Sequence, residues 1–367
     1  MTKFFYAVIL LMSGLFCRAA AQEAIPEISL PELSVPASNN AAALLQAENG
    51  IRLFSFKGMG KGKSWQDTTL SAFTLSPGGG KWHRISPVPG GPGELAATAI
   101  TLGGRIYVFG GYSVARDGAE QTIARAYQYN PGKDTYSLIP EIPVAVDDSV
   151  SFTIAGRYIY LISGWHNSGN VNLSQVYDTQ DRKWFQATPY PGKAVFGHAG
   201  AASGSRFVIC DGVEKIVAFQ GRHKYQATGA CFRGQVDPAK PRLIKWQRIK
   251  PHPGGPRYRM AAGGYHGQGD WIVFAGGSDT PYNYNGIGYN GKPSAPSDLV
   301  MAYSLDKDQW QMVGRLGLAS MDHRRLLVAG HRFFIVGGME KGQKVTGRTV
   351  EFCLGDDSGR LSACHKK

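Results

Sequence analysis

Short apolar strands recur along the chain, each set between a polar, glycine-bearing turn and a glycine or glycine pair. The clearest is "GGRIYVFGGYS" at 103–113. Its relatives are "AGRYIYLISGWH" at 155–166, "SGSRFVICDGV" at 203–213, "QGDWIVFAGGS" at 268–278 and "AGHRFFIVGGM" at 329–339, with a weaker copy, "NGIRLFSFKGMG", at 49–60. Each core is built from β-branched and aromatic residues, the composition of a strand. In chain order, an aromatic follows each of the first five, closing a polar or Gly/Pro-rich turn: Trp82, Tyr136, Trp184, Trp246 and Trp310. "NPGKDTY", "DTQDRKW" and "LDKDQW" read as versions of one hairpin turn.

The landmarks Gly58, Gly110, Gly164, Gly212, Gly276 and Gly337 are spaced by about fifty to sixty residues, the period of a four-stranded blade. One such sheet cannot bury both faces, whereas several packed radially can. The glycine pair with spaced aromatics resembles the kelch family of β-propellers over roughly residues 50–355. The resemblance implies an all-β, six-bladed kelch-type β-propeller. Its blades are expected near 50–90, 91–143, 144–191, 192–253, 254–316 and 317–367. The glycines belong where the second strand leaves the crowded centre, because a residue without Cβ permits positive φ and close approach.

The N-terminus changes the expected address. Lys3, the apolar run Phe4–Phe16 and Ala19-Ala20-Ala21 read as a signal peptide over residues 1–21. Residues 22–48 are Pro- and Ala-rich and read as an N-terminal arm, part of which could close the ring on the last blade; the propeller is set at 49–367. Nothing later is apolar enough to span a membrane. A periplasmic or secreted location follows, and four cysteines remain there: Cys210, Cys231, Cys353 and Cys364. An even number in an oxidising compartment predicts two disulfides, Cys353–Cys364 across a turn-like segment and Cys210–Cys231 across neighbouring strands. The formal charge is +13, or +11 once Lys3 and Arg18 leave with the signal. No dense basic run and no DNA-reading helix accompany it, so nucleic acid is excluded in favour of acidic sugars or an envelope glycan or protein.

Loops before each inner strand, and between the second and third strands, crowd one mouth of a propeller channel. The segments "PGGPGE", "VAVDDS", "VFGHAG", "PGGPRYRM" and "ASMDHRR" would bring Glu94, Asp147, Asp148, His198, Arg257, Tyr258, Arg259, Asp322, His323 and Arg324 together. The loop "GGSDTPYNYNGIGYNGKPSAPSD" adds Tyr282, Tyr284 and Tyr289, whose faces suit sugar rings, with asparagines for the hydroxyls. Arg222, Arg257 and Arg259 are candidates to clamp a carboxylate. The ligand is expected at blades four and five.

Length, signal, "PGGP" turn and blade count make the chain similar to bacterial periplasmic sialic acid mutarotases, the N-acetylneuraminate epimerases. That resemblance implies a Glu proton acceptor after an "NG"-type turn in the fourth blade, followed by an Arg. The matching place reads Asp211-Gly212-Val213-Glu214, with Glu214 one position late and Arg222 farther on. Glu214 or Asp211 as base, with His198 or Arg222 as partner, is the minimum set for ring opening. The alternatives are a non-catalytic glycan- or protein-binding propeller and a galactose-oxidase-like copper enzyme. The last needs two His, two Tyr and a Cys–Tyr crosslink; no clear set is present, and no metal or other cofactor is expected.

Overall fold

The computed structural model describes residues 23–48, 50–217, 223–357 and 359–364. The expected signal peptide and Arg222 lie outside them. Six antiparallel sheets are arranged as the blades of a propeller. Their innermost strands are Ala41–Ala47, Thr98–Leu102, Val150–Ile154, Ala199–Ser203, Ala261–His266 and Leu327–Ala329, each beside the next around the channel. The only helical piece among the described residues is one 3-10 turn, Trp65–Asp67.

The glycine repeat is explained by contacts at the end of each second strand. Gly110 has φ 57° and a Cβ there would stand 2.3 Å from the Val146 carbonyl oxygen of the next blade. Gly111 has φ 96°, and its Cβ would stand 2.6 Å from the Leu95 oxygen of its own blade. Three blades replace the first glycine with Lys57, Ser163 or Asp211, all at positive φ. Each uses its side chain between blades: Lys57 donates to the Gly110 carbonyl at 3.0 Å, Ser163 to that of Val195 at 2.8 Å, and Asp211 binds His252 at 2.7 Å.

The trailing aromatics have a common task. Tyr136, Trp184, Trp246 and Trp310 donate to the carbonyls of Ser86, Pro140, Thr188 and Lys250, each just beyond the outermost strand of the preceding blade. Trp82 of blade 1 donates to Pro31 at 2.9 Å. Pro31 follows Glu27–Leu30, and that strand pairs with Thr349–Phe352 as the outermost strand of blade 6. The N-terminal arm therefore closes the ring. Just before it, Ile25 N–H donates to Arg315 O and Arg315 N–H to Glu23 O, tying the arm to blade 5 as well.

The boundary expected at residue 49 falls inside blade 1. Ala41–Ala47 is its inner strand, joined directly to Gly50–Met59. A second strand at 50–59 requires a first strand before it, and the Ala-rich sequence supplies one with small side chains for the crowded channel. The core lies between blades, where Phe152 stacks on Phe207 at 4.3 Å and Trp246 meets Phe207 edge-on at 5.1 Å. Both disulfides are formed. Cys210 and Cys231 are directly opposed in one sheet, and Cys353–Cys364 pins the C-terminal strand Arg360–Ala363.

Candidate functional site

One residue before each inner strand adopts positive φ: Asn39, Ala96, Asp148, Gly197, Arg259 and Asp322. Their backbones form a hydrogen-bonded ring. The amides of Asn39, Ala96, Asp148, Gly197 and Arg259 each donate to the same position of the preceding blade, and His323 N–H closes the ring onto Arg259 O. This geometry turns the side chains of the ring into the channel mouth.

Arg259 dominates the ring. Its Nε and Nη2 donate to the two oxygens of Asp148 at 3.0 and 2.5 Å, and Nη1 donates to Asp322 Oδ1 at 2.8 Å. With the Asn39 amide oxygen turned toward the guanidinium, it accepts at 3.1 and 3.3 Å. Tyr258 and Tyr282 pack their rings against the guanidinium. Every donor of Arg259 is thereby used by protein. It forms a fixed floor and does not present an open clamp.

Above this floor lies a cavity of ≈ 350 Å³, within the size range of small-molecule sites. Hairpins that follow the glycine pairs build its walls. Tyr112–Val114 with Glu120–Thr122 brings Tyr112 and Glu120; Trp165–His166 with Gly169–Asn170 brings Trp165 and Asn167; Val213–Val217 with His223–Ala227 brings Tyr225. Tyr289 from the long blade 5 loop stacks on Tyr225 at 4.0 Å. Trp165 meets Phe196 edge-on at 5.4 Å.

Two carboxyls on the cavity wall are held toward protonation. Burial pushes Asp147 well above the usual carboxylate range, helped by the Asp148 and Glu120 charges and opposed by the Thr122 hydroxyl, which donates to it at 2.9 Å. Glu120 keeps a face in solvent; loss of water around its carboxyl, and then Asp148, raise it against the pull of Arg259. Two acids in one cavity with environments of unequal strength are suited to divide the roles of acid and base.

The residues singled out from the sequence are dispersed by the fold. Arg259 and Tyr289 line the cavity. Tyr258, Tyr282 and Asp322 are fully buried and brace the floor. Tyr284 packs against Met59, Leu95, Ala96, Tyr112 and Val114. His198 donates Nε2–H to Ile162 O at 2.9 Å, and burial pushes its pKa to about 3. His323 is also buried and bonds Ser320. Asp211 lies between blades against His252. Glu214 is buried and pairs with Lys193 at 2.7 Å. Arg257 donates to Gly254 O. Glu94, another acid expected at the mouth, is taken by Lys57 and Arg125. The site therefore centres on blades 2 and 3 as much as on blades 4 and 5. Glu120 and Trp165 stood in plain view in loops after the second strands of blades 2 and 3, but only the hairpin geometry turns them inward.

The Kelch motif family matches residues 95–143, the whole of blade 2. The chain is a six-bladed β-propeller, one blade of which matches the kelch motif. The N-acetylneuraminate epimerase of Salmonella arizonae is 22% identical over 373 residues, covering 89% of this chain and 91% of that protein. The N-acetylneuraminate epimerase of Escherichia coli O157:H7 is 26% identical over 403 residues, covering 97% and 98%. That of Shigella flexneri is 25% identical over 401 residues, with the same coverage. A solved structure of YjhT superposes with a TM-score of 0.71 at 19% identity, covering 92% of this chain and 99% of that one. At that identity the superposition speaks for the fold alone. The propeller is similar along nearly its whole length to sialic acid epimerases.

Proposed function

We propose that this propeller is an exported sugar mutarotase that opens and recloses the ring of a small reducing sugar at the channel mouth. The observation that carries the reading is the pair Glu120 and Asp147 in one aromatic-walled cavity, with burial pushing Asp147 toward its protonated form. Ring opening needs one proton taken from the anomeric hydroxyl and one given to the ring oxygen as its bond to the anomeric carbon breaks. Glu120, the more solvated acid, takes the first; Asp147 gives the second. Reclosure on the other face of the carbonyl returns both protons, so the enzyme ends as it began.

The walls suit a sugar. Trp165 and the stacked pair Tyr225 and Tyr289 line the cavity with aromatic surface for its apolar side, and Asn167 and Asn283 add amides for hydroxyls. The interior is rich in acids, so the carboxylate of a sialic-acid-type substrate belongs at the rim. Lys215 stands there, its ammonium over the Trp165 ring at 5.0 Å. The long similarity to proteins named N-acetylneuraminate epimerases favours such a substrate. The two disulfides favour an oxidising compartment. Among the described residues no helix is long and apolar enough to cross a membrane.

N-acetylneuraminate binding and anomer exchange, measured together by NMR, test the proposal. Glu120→Gln and Asp147→Asn are expected to keep binding and to lose exchange. Because Glu120 is raised, exchange should fall with acid at a pH above the usual glutamate value of about 4.3. Saturable binding with no exchange by the unaltered protein would replace the enzyme by a glycan-binding propeller.

A further inference from the structure

The channel has a second cavity, of ≈ 210 Å³, at the far end of the inner strands from the candidate site. The Arg259–Asp148–Asp322 floor stands between the two. All six blades contribute to its wall, through residues such as Ala43, Thr101, Thr153, Ala202, Gly264 and Val328. The six inner strands contain no Asp, Glu, Lys or Arg. The one charged side chain lining this cavity, among the described residues, is Arg325.

Arg325 reaches across the channel from blade 6. Its Nε donates to Ala99 O at 3.1 Å, and Nη2 to Ser151 O and Oγ at 2.7 and 2.6 Å. These neutral partners fix the guanidinium without balancing its charge. No carboxylate among the described residues lies within ion-pairing distance of it. The nearby carboxylates are already committed, Asp148 to Arg259 and Arg324, and Asp322 to Arg259. The Arg259 and Arg324 guanidiniums thus take both carboxylates of the floor, and Arg325 is left without one among the described residues. Burial and Arg324 lower the Arg325 pKa to about 10, as expected for a cation without a counter-charge. The guanidinium is part-buried, so water serves it only in part; a charge held at a protein wall is costly unless it is paired, and Nη1 retains donors with no protein acceptor among the described residues.

We propose that this end of the channel binds a small monovalent anion, a halide or short carboxylate, on the Arg325 guanidinium. The anion supplies the missing negative charge and makes an axle joining blade 6 to blades 2 and 3.

Chloride is the probe. In gluconate buffer at constant ionic strength, 35Cl line broadening by the full chain should saturate with added chloride and be reversed by formate competing for the same site. Arg325→Gln should weaken chloride binding at least tenfold. Absence of saturable broadening, or equal broadening in the variant, would overturn the proposal. Should that variant fail to fold, bromide-soaked crystals of the unaltered protein decide it. An anomalous peak beside the Arg325 guanidinium supports the site, and none there refutes it.

Discussion

Arg259 shows how one side chain can look like a ligand clamp and be a structural rivet. It satisfies two buried carboxylates, and among the described residues Asp322 has beside it only the Tyr282 hydroxyl at 3.3 Å. Arg259→Met should destabilise the fold by about 3–5 kcal/mol, because it leaves buried charge uncompensated; urea unfolding measures this. An unchanged midpoint would make Arg259 a ligand contact. The buried histidines give a second residue-scale expectation. Burial, with Arg324 near His198 and Arg348 near His323, lowers both to about 3. Unfolded histidine titrates near 6.5. Between those values the unfolded chain binds more protons, so their stabilisation is full above about pH 6.5 and is lost as pH falls toward 3. Asp147, raised by burial, has the opposite sign: the stability it contributes is present at low pH and lost as pH rises. His323→Gln isolates one histidine, and unfolding free energies from pH 7 to 4 should show a shallower fall than in the unaltered protein. Residue identities such as Tyr289 were legible from sequence, since aromatics in a long polar loop attract notice. The roles of Asp211 and Glu94 were not, because their partners His252, Lys57 and Arg125 stand 31 to 41 residues away along the chain.

At the scale of elements, the repeat was legible because every blade solves the same steric problem at the same place. Gly58, Gly111, Gly164, Gly212, Gly277 and Gly338 all have positive φ, and a Cβ at each would press on a backbone oxygen of its own blade's lead-in, which writes a glycine into every repeat and a pair into three of them. The closing strand was harder to read. Glu27–Leu30 is four residues long and carries no glycine landmark; its partner strand lies more than three hundred residues on. The Trp82–Pro31 hydrogen bond, equivalent to one at four other blades, identifies its place. Deleting residues 23–31 should expose the edge of blade 6, lower the unfolding temperature and promote association through the unpaired strand. Unchanged melting would mean that the ring closes without the arm. The Cys353–Cys364 bridge secures the other chain end in that blade. Replacing both cysteines by serine should cost about 3 kcal/mol by loop entropy, read as a lowered denaturant midpoint with blade 6 amides exchanging first.

For the molecule as a whole, the propeller gathers six short lead-in segments and four small hairpins around one channel mouth. Few of these residues are near one another in sequence, so a catalytic set is assembled by topology. That explains why a turn in blade 4 suggested Glu214 while the cavity brings forward Glu120 from blade 2. On a strand, one step in register reverses a side chain, and Val213 occupies the step before Glu214. The two acids make opposite forecasts that one measurement separates. Magnetisation transfer between the anomers of N-acetylneuraminate should be accelerated by the unaltered protein and by Glu214→Gln, and should return to the buffer rate with Glu120→Gln. Loss of exchange in Glu214→Gln with full exchange in Glu120→Gln, or no acceleration by the unaltered protein, would contradict the account.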